Sequence, residues 1–320
     1  MQPNLVTNNL SLREAFGQVL VDLAPKYEFL VLDGDMAGGT GVWRFRKAYP
    51  DRYLNCGIAE QNMMGTGAGI NLATGIPIFV TGFATFLMRA WEIARISIAY
   101  NNANVKIVAS HVGLDVGPDG HSAQCFEDVA CWRAIDNMVV IAPCDPQEVY
   151  KATEAILNHD GPVYMRTGRS AIEGTASTPK RFRIGKGILV YPLTYDIICD
   201  DPTELTIIAY GITVHRAIEA AKTLPNVEID VINMSTIKPL DVDLILSQAE
   251  ICDKFLVVED HHLAGGLGEA VSALLDERNP KQVKVLCMPN KHGESGEPKE
   301  LAAKYGLDTE GIIHAVKELL

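Results

Sequence analysis

The residues best suited to chemistry are polar side chains set among small and apolar neighbours. Glu60 lies in the run Tyr-Leu-Asn-Cys-Gly-Ile-Ala-Glu-Gln-Asn-Met at 53–63, and the chain stays small or apolar through 75, with glycines at 65, 67, 69 and 75. A carboxyl at the start of so tightly packed a helix sits where burial keeps it protonated or sharing a proton in a hydrogen bond, the condition of a catalytic acid. A plainer role competes: a glutamate in a first helical turn meets free backbone amides and the positive end of the helix dipole. Other chemistry-bearing residues follow apolar runs in the same way. Asp33-Gly-Asp35 follows 29–32, Phe83 and Phe86 follow 76–80, His111 follows 105–110, and Arg166 follows 163–165. In an open parallel sheet the carboxyl ends of the strands form one rim, where ligands bind. Two acid positions, aromatics, a histidine and an arginine on consecutive strand ends therefore define a candidate site.

Such a rim needs parallel strands to carry it. Ser11-Leu-Arg-Glu is a capping box, and Phe16, Val19, Leu20 and Leu23 then share one helical face. Apolar runs at 29–32, 76–80, 105–109, 139–142 and 163–165 predict strands buried on both faces, with a helix at 146–157. That alternation is the pattern of a doubly wound α/β domain. A polar crossing segment interrupts it at about 172–190, and a second α/β unit follows with strands at 205–209, 227–232, 255–258 and 283–286. The expected division is 1–175, a linker at 176–191, and 192–320.

Two glycine-rich segments border this frame. The loop 113–122 carries Asp119 and His121 and reads as flexible enough to border a ligand, but it matches no phosphate-binding fingerprint. Asp260-His-His-Leu-Ala-Gly-Gly-Leu-Gly268 opens a helix whose amides suit an anion, although close packing of helix on sheet explains the glycines as well.

The chain of 320 residues is 48% apolar, long enough for two domains. Its net charge of -12, with no basic cluster, excludes a nucleic-acid partner. No apolar run reaches spanning length and the start lacks a signal-peptide pattern, so a cytoplasmic, non-membrane protein is expected. Seven scattered cysteines, at 56, 125, 131, 144, 199, 252 and 287, suit neither a disulfide framework nor a zinc motif and read as reduced, mostly buried thiols.

Taken together, Ser11-Leu-Arg-Glu-Ala-Phe-Gly, Gly57-Ile-Ala-Glu-Gln-Asn-Met, Gly82-Phe-Ala-Thr-Phe, Gly117-Pro-Asp-Gly, Val257-Val-Glu-Asp-His and Gly293-Glu-Ser-Gly resemble the transketolases over nearly the whole chain. The resemblance is to their pyrimidine-binding domain followed by their C-terminal domain. It implies thiamine diphosphate as cofactor, with Glu60 hydrogen-bonded to the aminopyrimidine N1' so that the thiazolium loses its proton and attacks a ketose. It implies an aromatic wall at Phe86 and Phe83, with Asp35 a further cofactor-binding candidate. It implies a sugar-phosphate channel lined by Arg13, His111 and Arg166, with Asp119 at the substrate hydroxyls and Arg89 a further candidate; two arginines and a histidine suit a phosphate. Two departures stand out. The family loop reads Asp-Gly-x-Thr/Ser-His-Gln, whereas here His121, the second catalytic candidate, comes two positions early and Ala123 takes the usual place. Gly39-Thr40 stands where many relatives put a serine against the phosphate, which makes Thr40 the expected substitute.

The family holds the diphosphate through Mg2+ on a Gly-Asp-Gly segment followed some thirty residues on by Asn-Asn. Asp33-Gly-Asp35 has no such sequel, and Asn101-Asn102 falls at a helix end. The resemblance therefore implies the C-terminal section of a divided transketolase, with the diphosphate and Mg2+ held by a partner subunit in a heterotetramer of two copies each. Alternatives remain: the β subunit of a 2-oxo acid dehydrogenase, a deoxyxylulose phosphate synthase-like enzyme that shares Arg89 in Thr-Phe-Leu-x-Arg-Ala, or a non-catalytic structural subunit.

Overall fold

The computed structural model describes residues 10–172, 181–192 and 203–320. Cys199 and most of the 176–191 segment before 181 lie outside these residues. Two sheets form the frame. The first contains β1 (Leu30–Asp33), β2 (Tyr53–Asn55), β3 (Ile78–Phe83), β4 (Val105–Ser110), β5 (Val139–Ile141) and β6 (Val163–Thr167). The second contains β7 (Ile188–Tyr191), β8 (Leu205–Ala209), β9 (Ile229–Asn233), β11 (Lys254–His262) and β12 (Gln282–Met288), while β10 (Thr236–Lys238) crosses back to the first. The strand orders are β10-β5-β6-β4-β3-β1-β2 and β12-β11-β8-β9-β7.

All pairings among β1 to β6 are parallel, so their carboxyl ends share one edge. β3, β4, β5 and β6 are buried at every residue, which explains their continuous apolar runs: helices cover both faces. The second sheet is parallel except at its edge, where β7 runs antiparallel to β9. Two features depart from the expected division. β7 lies within the segment expected to be linker, and β10, far along the second half, pairs antiparallel with β5 of the first sheet. A strand of the second half thus completes one edge of the first sheet.

The helix Leu12–Leu23 begins as its motif indicates, with Ser11 Oγ accepting from Glu14 N at 3.4 Å and Phe16, Val19, Leu20 and Leu23 buried. It approaches Gly41 so closely that a Cβ at Gly17 would stand 2.0 Å from the Gly41 carbonyl oxygen. Gly41 itself has φ +82, and a Cβ there would meet the Arg13 carbonyl at 2.2 Å. Only glycine at both positions lets Arg13 reach the rim.

The start of the helix Leu267–Arg278 does bind an anion, but an internal one. Glu259 accepts from Leu267 N at 2.8 Å and Gly268 N at 2.9 Å, which fills the place an external ligand would take. The glycines also serve packing, since a Cβ on Gly268 would lie 2.4 Å from Val285. The six described cysteines are free, as expected of reduced thiols.

Candidate active site

The sheet edge gathers most of the expected residues, though not all. Phe83, at the end of β3, stacks on His111 with ring centroids 3.5 Å apart and an interplanar angle of 18°. Phe86 also stacks on Phe83, at 5.2 Å and 17°, and is 37% exposed. Gly39 lies against Phe83, where a Cβ would fall 2.5 Å from the ring.

His111 follows β4 with φ +58, a conformation that bulky residues rarely take and that turns its ring into the stack. Its Nδ1 is 3.0 Å from Ser110 Oγ, and its Nε2 is 3.7 Å from Asp119 Oδ2. Burial first, then the charges of Arg13 and Arg169, push its pKa down to about 3. The imidazole is therefore neutral.

Arg13 donates Nη1 to the Gly39 carbonyl at 2.8 Å, while its Nε is buried with no acceptor among the described residues. Its neighbours include Arg169 and Asp119. Arg169 sits 3.5 Å from Asp119 and donates to the Val116 carbonyl. The second arginine of the rim is thus Arg169. Arg166 is 4% exposed at the junction of the two halves, with Nε 2.8 Å from Asp128 Oδ2, Nη2 3.2 Å from the Asp260 carbonyl, and its guanidinium over the Tyr210 ring. The substitution of one arginine for the other has a simple cause. Arg166 is in the last strand, where side chains alternate between faces, and Arg169 is three residues on, where the chain has left the sheet for the rim.

Asp119 is exposed beside these cations, and His121 is held by the second half of the chain. The His121 Nδ1 accepts from Gly293 N at 3.2 Å, and its ring lies 4.3 Å from His292. The loop 113–122 is clamped, not loose. Leu114 N donates to Asp260, and Cβ atoms at Gly113, Gly117 or Gly120 would collide with Asp260, Pro298 or Ser295.

Asp33 is saturated by Met36 N, Thr40 Oγ1, Tyr53 Oη and Thr81 Oγ1, and Thr40 is buried against it, so neither is turned to a phosphate. Asp35 is exposed at φ +64 and accepts from Asn55 Nδ2 at 2.8 Å. Arg89 is exposed and makes no ion pair with a described residue. Asn101 donates to the carbonyls of Ile96 and Ser97, a helix-end role.

Glu60 opens the helix Glu60–Thr74, which packs on the segment 84–90. It is 8% exposed and has no hydrogen bond or ion pair with any described residue. Its carboxylate makes no capping hydrogen bond, and its place in the first turn sets it at the positive end of the helix dipole. These features fit the aminopyrimidine end of a thiamine cofactor: a carboxyl without a partner among the described residues and a pair of stacked aromatic rings, one of them partly exposed.

Comparison with known proteins agrees with this geometry. Residues 8–174 match the family model "Transketolase, pyrimidine binding domain" and 196–312 match "Transketolase, C-terminal domain". A putative transketolase C-terminal section of Methanocaldococcus jannaschii is 40% identical over 96% of this chain and 95% of its own length. One of the subunits of an apulose-4-phosphate transketolase, from Phocaeicola vulgatus, is 33% identical over 99% of both chains. Human transketolase is 34% identical over 98% of this chain, which spans only 50% of it. Among solved structures, a split gene transketolase described as an inactive β4 tetramer superposes with TM-score 0.86 at 36% identity, covering 97% of this chain and 98% of its own. The chain belongs to the transketolase family, a family that implies thiamine diphosphate, and carries its pyrimidine-binding and C-terminal domains as a split transketolase subunit does.

Proposed function

We propose that this chain supplies the pyrimidine-binding half of a transketolase that moves a two-carbon ketol unit from a ketose phosphate to an aldose phosphate. In this reading a partner subunit holds the diphosphate and Mg2+, in an α2β2 assembly. The observation that carries it is Glu60, a carboxyl 8% exposed with no partner among the described residues. An unpaired carboxyl at the margin of the buried region, its oxygens still open to a ligand, is placed to share a proton with a ring nitrogen.

Bound thiamine diphosphate supplies a carbon nucleophile for the ketose carbonyl and a sink for the electrons of the broken bond. The chain's own residues hold and orient. Glu60 keeps a proton at the aminopyrimidine N1'. Phe86, stacked on Phe83 and partly exposed, offers its face to the pyrimidine. Arg13 and Arg169 attract the substrate phosphate, neutral His111 hydrogen-bonds to the substrate, and Asp119 accepts from a sugar hydroxyl. His121 has one nitrogen engaged by Gly293 and only the other to offer. Support for a partner comes from the split gene relative, an inactive tetramer of one subunit type.

The test mixes this chain with a subunit carrying the Gly-Asp-Gly segment, adds thiamine diphosphate and Mg2+, and screens pentose phosphates and apulose 4-phosphate. Glu60→Gln is expected to lower kcat by at least about 100-fold without changing the melting temperature much. Unchanged turnover in that variant, or full activity from this chain alone, would overturn the proposal.

A further inference from the structure

A second cluster lies away from the rim, where β5 passes into the helix Pro146–Leu157. Cys144 and Asp145 occupy that turn, and His215 faces them from the helix Thr213–Thr223 of the other half. One ligand atom from each, the Cys144 sulfur, an Asp145 oxygen and a His215 ring nitrogen, lie within 4.8 Å of one another. Cys144 and Asp145 are both 0% exposed.

Local structure explains only part of this cluster. Asp145 caps its helix with Oδ1, which accepts from Glu148 N at 2.7 Å. Its Oδ2 is buried with no hydrogen-bond partner among the described residues. The Cys144 sulfur receives a contact from Asn233 Nδ2 at 3.2 Å, and its thiol also hydrogen-bonds to the Glu148 side chain. His215 Nε2 lies 3.1 Å from the Cys144 carbonyl. With one nitrogen held by a backbone carbonyl the other keeps its lone pair, the arrangement by which protein structures orient a metal-binding histidine.

Charges of both signs surround the cluster. Glu148 lies beside it, bonded to Cys144 N, Asn233 and Ser235, and Lys151 is the nearby base on the same helix. From the opposite helix His215 senses Glu219 and Lys222. Burial pushes the Cys144 thiol up and the Asp145 carboxyl to about 7, and keeps His215 low. An ion bound there would be met by a thiolate once the thiol proton is displaced.

We propose that Cys144, Asp145 and His215 form a zinc site that ties the two halves of the chain together, with a water molecule as the fourth ligand. A thiolate, a carboxylate and an imidazole around one position suit zinc. Zinc bonds of about 2.0–2.3 Å imply ligand-to-ligand distances of about 3.3–3.8 Å in a tetrahedron, so the cluster must close by about 1 Å. His215 has room for that movement, because it is only half-buried and lines a groove of about 840 Å³ with Asp115, Ile212, Arg216 and Glu297. Binding releases the proton of the thiol, and no electron is transferred. The site is independent of the catalytic reading, since it touches none of the rim residues.

The experiment uses the full chain without a histidine tag, stripped with chelator and then titrated with zinc alone and with cobalt alone. The expected result is one ion per chain, a rise in melting temperature reversed by chelator, and a cobalt spectrum with a near-ultraviolet thiolate band. Cys144→Ser and His215→Gln are expected to lose the ion and the band while melting, in chelator, where the unaltered chain does. Should either variant fail to fold, the cobalt spectrum of the unaltered chain decides: absence of the thiolate band refutes the site. Zinc bound equally by both variants, or far less than one ion per chain, also refutes it.

Discussion

Arg13 and Arg169 lie together beside Asp119 at the rim, and the protein uses only part of the donors of Arg13. Arg13 spends one nitrogen on the Gly39 carbonyl and leaves a buried Nε without an acceptor among the described residues. A phosphate oxygen gives such a donor the charge-assisted bond it lacks. Arg13→Ala or Arg169→Ala should therefore raise KM for ketose phosphates by about 10–100-fold, the equivalent of about 1.4–2.7 kcal/mol, and leave KM for an unphosphorylated ketose nearly unchanged. An equal loss for both substrates would show that the arginines serve the fold. His111 carries a pH signature of its own. Its folded pKa, depressed to about 3 by burial and the two arginines, lies below the value of about 6.5 expected in the unfolded chain. The stability it contributes is present above about pH 6.5 and is lost as pH falls toward about 3, because the unfolded chain takes up the proton first. Denaturant titrations of His111→Asn should show a shallower loss over that window.

At the scale of elements, the rim depends on how closely the first helix meets the segment around Gly41. An added methyl at Gly17 would stand 2.0 Å from a carbonyl oxygen, a backbone contact that no side-chain rotation relieves. Gly17→Ala should cost about 1–3 kcal/mol and weaken sugar-phosphate binding, because the helix that moves is the one bearing Arg13. Gly69→Ala is the matched control. It lies in the helix Glu60–Thr74 with nothing within 4 Å of its added Cβ, and it should stabilise the isolated chain by about 0.5–1 kcal/mol. Melting curves of the two variants should move in opposite directions.

At the scale of the whole molecule, buried charge joins the halves. Arg166, paired with Asp128 at 2.8 Å, donates Nη2 to the Asp260 carbonyl at 3.2 Å and lies over the Tyr210 ring, and Tyr210 in turn donates to Glu259 at 3.3 Å. Removing one partner of a buried pair strands the other, so Arg166→Met should destabilise the chain by about 3–5 kcal/mol even though the residue is remote from Glu60 in role. Glu259 adds a pH dependence of opposite sign to that of His111. Burial raises its pKa to about 7, above the ordinary carboxylate range, so the stability it contributes is complete in acid and is lost as pH rises through about 7. The stability of Glu259→Gln relative to the unaltered chain should rise by about 1–3 kcal/mol between pH 5 and pH 8. A pH-independent difference would mean that the carboxyl is ionised throughout.

Local pattern was enough for the capping box at Ser11, the buried parallel strands, and the small-residue helix behind Glu60, because each arises from neighbours in the chain through hydrogen-bond closure or burial of alternate faces. The acid, the aromatics and His111 could be assigned to one rim on the same ground, since a parallel sheet puts every carboxyl end on one edge. What spacing could not supply was direction. Arg166 and Arg169 are three residues apart and equally charged, yet one turns into the junction and the other out to Asp119, a choice made by where β6 ends and what packs against it. The clamping of the loop 113–122, the return of β10 to the first sheet, and the meeting of Cys144 with His215 all join segments more than seventy residues apart. Such contacts follow from the packing of whole elements, and only the tertiary structure decides which side chains they bring together.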